Sequence, residues 1–348
     1  MKKFLSILLV VGVLMSAMSF SVSAAEYSDE EVAAFVTMMN RADVNNDGAY
    51  STLDASKLLK AAAGIELAEE DYDIDLDGQV TLLDAQKMLR VAADLDSVVG
   101  NDVLLKLFTE KLNSVKTTKP GFTRTTTLVC PSIKVTTTGA PDKKLNVTNM
   151  EYKDYVNTLV SVMNSFPYNT LLDDATKKEL EEMKKSAVEV YQPQTEKKTV
   201  AKTSNSHYTY FPVNNLGWSC KLEMSDIKSI KQTIVGGNIV ITITLADYTY
   251  GKGEYPVGSS GFADRQKLPY GKIFNIPALS ETDGSIINSM AFKNGVVVLT
   301  LDGQTADVVS ADYSYSYISS ITSPKTEGSD LVMKTVTTAN NNENYVMN

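Results

Sequence analysis

The sequence predicts an α+β protein, with a small all-α unit near the N-terminus followed by helices packed on an antiparallel sheet. Three observations carry this. An acidic loop occurs twice, each copy opening an apolar helix. Beyond it, apolar residues recur first at helical spacing. Later they alternate with polar ones between glycine turns, as the strands of a meander do.

The chain has 348 residues and a formal net charge of -9, a length that suits two or three folded units. The acidity is uneven: residues 26–100 hold about 17 acidic against about 5 basic side chains, and the rest is near neutral. No basic patch suits nucleic acid. Lys2 and Lys3, the apolar run from Phe4 to Phe20, and the small residues Ser21, Ser23, Ala24 and Ala25 read as a secretory signal peptide over 1–25. No later run is apolar enough to span a membrane. The mature chain is therefore expected to be secreted. Cys130 and Cys220 both lie in the exported part; a single disulfide and two free thiols are both open. His207 is the sole histidine, which excludes a zinc site built from several. A Ser-His-Asp triad would have to run through it, but its polar surroundings place it at the surface or on a strand.

Ser28 and Glu31 form a capping box, opening a helix through Asn40 with Val32, Phe35, Val36 and Met39 on one face. The duplicated loop follows. Asp43-Val44-Asn45-Asn46-Asp47-Gly48 recurs as Asp73-Ile74-Asp75-Leu76-Asp77-Gly78. Calcium takes six to eight oxygens at about 2.3–2.6 Å, and alternate residues of a tight loop supply them. In the first copy the ligands are expected from Asp43, Asn45, Asp47, the carbonyl of Ala49, Ser51 and Asp54. In the second they are Asp73, Asp75, Asp77, Gln79, Thr81 and Asp84. Gly48 and Gly78 permit the sharp bend. Two calcium ions are thus expected.

A general calcium loop ends on Glu. Here both copies end on Asp followed by Ala and a helix, Asp54-Ala55-Ser56-Lys57-Leu58 and Asp84-Ala85-Gln86-Lys87-Met88. This pattern, over residues 41–94, resembles the type I dockerin family, a duplicated EF-hand-like module. The resemblance implies docking onto a cohesin domain of a scaffoldin or cell-surface protein, as in a cellulosome. It also implies that Thr52, Leu53, Leu82 and Leu83 help choose the partner; Leu53 and Leu83 have packing beneath the helix start as their alternative. The dockerin is expected over 26–100. The entering helix either completes a fuller EF-hand-like unit or packs against the repeats.

Residues 101–348 are expected to form an α+β module. A helix from Asp102 carries Leu104, Leu107, Phe108 and Leu112 on one face, with Val115 at its edge. Phe122–Val129 and Ile133–Thr138 read as strands. A second capping box, Thr148 with Glu151, opens a helix to Phe166, and another runs from Asp174 to Tyr191 with Leu180, Met183, Ala187 and Val190 inward. Residues 195–206 read as a polar loop. Gly236-Gly237 and Asn294-Gly295 read as hairpin turns, the latter between strands 286–293 and 296–301. Ile239, Ile241, Ile243 and Leu245 share one strand face, and Tyr313, Tyr315 and Tyr317 another. The tyrosines either stack on sugars or form the buried side of their strand. Residues 330–339 read as a last strand. The region also resembles an uncharacterised module found beside dockerins, through Lys119–Arg124 and Trp218–Leu222; that likeness brings no activity with it.

Dockerins commonly deliver polysaccharide-degrading hydrolases, which need two facing carboxylates. Glu223, Asp226, Asp247 and Glu254 sit in no motif that marks such a pair. The sequence therefore favours a non-catalytic domain that binds a glycan or an apolar ligand, with an O-glycosyl hydrolase of polysaccharide catabolism as the alternative.

Overall fold

The computed structural model describes residues 27–348 apart from 70–71, 76, 94, 213–218, 259–260, 280–284 and 324–329. The leader segment, Leu76 and Trp218 lie outside the described residues. The first described element is helix α1 (Asp29–Arg41), and its capping box forms in both directions between Ser28 and Glu31. The duplicated loops open α2 (Thr52–Ala62) and α3 (Leu82–Ala92), and α4 (Asn101–Thr118) follows. Leu104, Leu107, Phe108, Leu112 and Val115 are all buried on α4, as their spacing requires.

The rest is mixed. Strand β1 (Phe122–Thr138) and β2 (Met150–Glu151) precede helices α5 (Tyr152–Met163) and α6 (Asp174–Glu189). Then come β3 (Gln194–Val200), the short α7 (His207–Tyr210), β4 (Ile227–Val235), β5 (Asn238–Leu245), β6 (Tyr248–Tyr250) and the short α8 (Phe262–Arg265). The long strands β7 (Ile286–Leu301), β8 (Val308–Thr322) and β9 (Val332–Met347) complete it. They form one nine-stranded sheet in the order β2-β1-β9-β8-β7-β5-β4, with β3 also on β1 and β6 on β7. Every pairing is antiparallel.

Several expectations need correction. β1 is one strand, and its register slips between Val129 and Ser132, where Cys130 and Pro131 stand; a bulge absorbs the missing proline donor. Asn294-Gly295 makes no turn. β7 runs through it, slipping register against β8 between Lys293 and Val296, with Asn294 at φ 54. The pair is a bulge because Gly295 donates its N–H to the Tyr270 hydroxyl, which fills the space a turn would need. The polar stretch expected as a loop contains β3, which pairs with β1 from Gln194 to Val200. Thr148 and Glu151 form no capping box: Glu151, at the end of β2, is itself the N-cap position of α5, and its carboxylate makes no cap bond but takes Lys134, Ser132 and Tyr191. On α6, Leu180 and Ala187 are buried, but Met183 is exposed. The Gly236-Gly237 hairpin joins β4 to β5 as expected, from Val235 paired with Asn238.

The larger core is continuous from α1 to the sheet. Phe35, Met39, Val44, Leu58 and Met88 belong to the same buried cluster as Leu104, Ile239, Ile241, Ile243, Val297, Leu299 and Tyr345. The connecting Val98 and Val99 are each 1% exposed, so the two segments meet through packed residues. A second cluster holds α5 and α6 against Val135, Leu145 and Val147. Tyr313 and Tyr315 are buried on the core face of β8, and Tyr317 packs at its edge. Cys130 and Cys220 are both free thiols.

Candidate metal centre

Each loop is organised by its own carboxylates accepting backbone N–H groups. In the first loop Asp43 accepts from Asp47 at 3.0 Å and from Gly48 at 2.8 Å. Asn45 Oδ1 accepts from Asp47 at 2.8 Å, and Asp47 accepts from Ala49 at 3.0 Å. Asp54 closes the loop, accepting from Asn45 at 3.1 Å and from Ser51 at 2.8 Å. Ser51 also caps α2 through Leu53 N–H. The second loop repeats the pattern. Asp73 accepts from Asp77 at 3.1 Å and Gly78 at 2.9 Å, and Asp75 from Asp77 at 3.1 Å. Asp77 accepts from Gln79 at 2.8 Å, while Asp84 takes Ile74, Asp75 and Thr81. Thr81 caps α3 as Ser51 caps α2. Gly48 at φ 85 and Gly78 at φ 90 make both bends in the left-handed region.

The sequence-expected ligands are thus gathered around two turns. Among the described residues, Asp73, Asp75 and Asp84 are the one group with ligand oxygens all within 4.8 Å of one another. The first loop has an amide, Asn45, where the second has Asp75. Asp54 and Asp84 are both fully buried, at 0% exposure. Burying a carboxylate costs several kcal/mol without compensating charge. The nearby ammonium groups donate elsewhere, Lys57 to the Val44 carbonyl at 2.9 Å and Lys87 to that of Ile74 at 3.2 Å. Burial pushes Lys87 below its ordinary range. An all-oxygen donor set around buried carboxylates fits a hard divalent cation such as calcium.

Thr52, Leu53, Leu82 and Leu83 are all exposed at the starts of α2 and α3, with Leu53 at 63% and Leu83 at 55%. They do not pack beneath the helix starts. The apolar face extends further than sequence reasoning reached. Leu59 and Leu89 lie further along each helix, Ile65 and Leu95 just past its end, and all four are exposed. Beside them Lys60 pairs with Glu66 at 3.0 Å and Arg90 with Asp96 at 3.2 Å. The signal was the duplication itself, carried on through the helices.

The titratable groups singled out in the sheet region are held by structural contacts. His207 is buried at 0% exposure, against the expectation of a surface position. Its two ring nitrogens lie 2.6 Å from the Ser204 carbonyl and 2.5 Å from that of Pro120, and its ring meets Phe122 edge-on. Asp226 and Glu223 share the Lys272 ammonium at 2.8 and 3.0 Å. Asp247 accepts from Asn294 N–H, and Glu254 from Gly251 N–H. Glu343 is buried with the Arg124 guanidinium at 3.1 Å and the Tyr345 hydroxyl at 2.5 Å. On the outer sheet face a hollow of about 220 Å³ is lined by Thr125, Thr127, Asp312, Ser314, Asn342 and Asn344, among others. No helix of the described residues is long and apolar enough to cross a membrane.

Comparison with known protein families, curated proteins and solved structures finds no match, so the likeness of the two loops to dockerins rests on the residues just described.

Proposed function

We propose that the chain is an exported docking protein of the dockerin type, whose loops at Asp43 and Asp73 each hold one calcium ion. The exposed face of α2 and α3 binds a cohesin domain on a scaffold or cell surface. The sheet domain is its non-catalytic companion. One observation carries the reading: two all-oxygen loops, each closed by a buried carboxylate, open helices that expose the same apolar positions, Leu53 and Leu83. Calcium supplies the positive charge that these carboxylates lack. Asp43, Asp47 and Asp54 would hold it in one loop, with Asp73, Asp75, Asp77 and Asp84 in the other.

Calorimetric titration of the full chain is expected to give about two calcium sites. Asp43→Ala and Asp73→Ala should each remove one. Excess chelator should lower the helical signal, since metal binding and loop order are linked. Unchanged stoichiometry in both variants would defeat the assignment.

A further inference from the structure

We propose that the sheet domain holds the first loop in its binding conformation through contacts that the second loop does not match among the described residues, so that the two cation sites are unequal and the first is the more strongly coupled to the sheet. This rests on the calcium reading above, and it turns on an asymmetry between otherwise matched repeats. At the Gly48 bend, a Cβ would lie 3.5 Å from the Gly236 nitrogen, in the β4–β5 turn; at the matching Gly78 nothing lies within 4 Å. Two residues further on, the first loop has Tyr50 where the second has Val80. The Tyr50 hydroxyl donates to the Met39 carbonyl and accepts from Gln232 Nε2 of β4 at 2.5 Å. Tyr50 stands between the expected ligands Ala49 and Ser51, so β4 holds the middle of the loop. Just ahead of the loop, Asn40 Nδ2 donates to the Gly303 carbonyl at 2.5 Å, in the β7–β8 connection.

The hinge that would relax these contacts is closed as well. Ser97, Val98 and Val99, which join the repeats to α4, are all buried. The Ser97 hydroxyl donates to the Val99 carbonyl at 2.5 Å and lies 3.1 Å from Asn101 Oδ1.

An acidic loop without its cation is driven apart by its own charges. A loop already ordered by its neighbours loses less freedom on binding, and binds more tightly for it. Charge alone ranks the sites the other way, since the second loop has four carboxylates and the first has three with Asn45. Bracing by β4 and the two turns therefore offsets the missing carboxylate. Coupling is reciprocal: whatever the sheet adds to cation affinity, the cation adds to the order of the β4–β5 turn.

The test uses the full chain in two single-site backgrounds, titrated with calcium by calorimetry. Asp73→Ala leaves the braced loop, and Asp43→Ala leaves the other one. Adding Asn40→Ala and Gln232→Leu together removes the two side-chain bonds without touching a ligand. The remaining site is expected to weaken about tenfold in the first background and to stay within about twofold in the second. Tyr50→Phe, which keeps the ring and loses the hydroxyl, should act in the same direction. Circular dichroism checks that each variant folds. Calcium should also slow amide exchange at Gly236 and Gly237 in the Asp73→Ala chain and not in the Asp43→Ala chain. Equal weakening in both backgrounds, or none in the first, overturns the coupling and leaves the docking reading standing. An unaltered chain that takes up no calcium overturns both.

Discussion

Gly295 sits where the Tyr270 ring meets the backbone of β7. A Cβ built there would lie 2.7 Å from the ring, and the ring cannot retreat, since it stacks on Phe274 at 5.4 Å and Phe292 at 5.1 Å. Its hydroxyl also takes the Gly295 N–H at 3.0 Å. Gly295→Ala is therefore expected to cost about 1–3 kcal/mol, the usual penalty for overfilling a packed core. Tyr270→Phe should cost about 1 kcal/mol through the lost hydrogen bond. Urea unfolding midpoints measure both, and an alanine variant as stable as the parent would show that the ring moves freely. An Asn-Gly pair carries the same local preference for a left-handed backbone in a turn or a bulge. The choice here is made by Tyr270, which the chain brings in from a distance, so the dipeptide alone pointed to the wrong one. His207 was misplaced for a related reason: its neighbours in sequence are polar, while its neighbours in space are Phe122 and two carbonyls.

The pair α2 and α3 shows what repetition makes readable. Both helices place Ser or Thr at the cap and Asp three residues on, and bury matching residues, Leu58 and Met88, while Leu53, Leu59, Leu83 and Leu89 face outward. Replacing Leu53 and Leu83 with Glu should leave calcium stoichiometry unchanged and stability within about 0.5 kcal/mol, as for exposed sites generally. The same change should abolish cohesin capture in a pull-down against a panel of cohesins. Undiminished capture would place the docking face elsewhere. The two turns were legible because the residues that close each one are adjacent in sequence, with Gly48 and Gly78 at the bends. The amphipathic helices α1, α4 and α6 were legible by period, and β5 by strict alternation, with Ile239, Ile241, Ile243 and Leu245 buried. β3 was not, because nearly all of its side chains are exposed and polar. It is held by backbone pairing to β1, and by contacts such as Thr199 with Thr123 at 3.3 Å, which no hydrophobic pattern reports. The seating of the first loop on Gly236 was equally hidden, since both partners are glycine turns with no side chain to announce a contact.

Across the whole molecule, buried phenols dominate the response to alkali. Burial holds Tyr313, Tyr315 and Tyr345 well above the ordinary tyrosine range, and pushes Tyr250 and Tyr270 up to about 12 from 10.0. The folded chain keeps these protons after the unfolded chain has lost them. Their contribution is complete below about pH 10 and is lost as pH rises through the folded values, at about 1.4 kcal/mol per pH unit for each group. Lys116 acts in the opposite sense. Burial pushes it down to about 8 from 10.5, so stability rises with pH between those values. One amine set against five phenols makes stability rise between about pH 8 and 10 and fall steeply beyond. Urea midpoints from pH 8 to 11 should trace that shape, and Tyr313→Phe should flatten the fall. A profile with no alkaline loss would mean that these hydroxyls reach water. The sheet order has a further consequence, for the timing of assembly. β9 lies between β1 and β8, and the Asn348 N–H reaches the Gly121 carbonyl at 2.8 Å. Of the described strands, the one that joins the two halves of the sheet comes last in the sequence, so the sheet closes only after all the others are made. Until it is made, β1 and β8 lack the neighbour that stands between them, and the sheet stays in two parts.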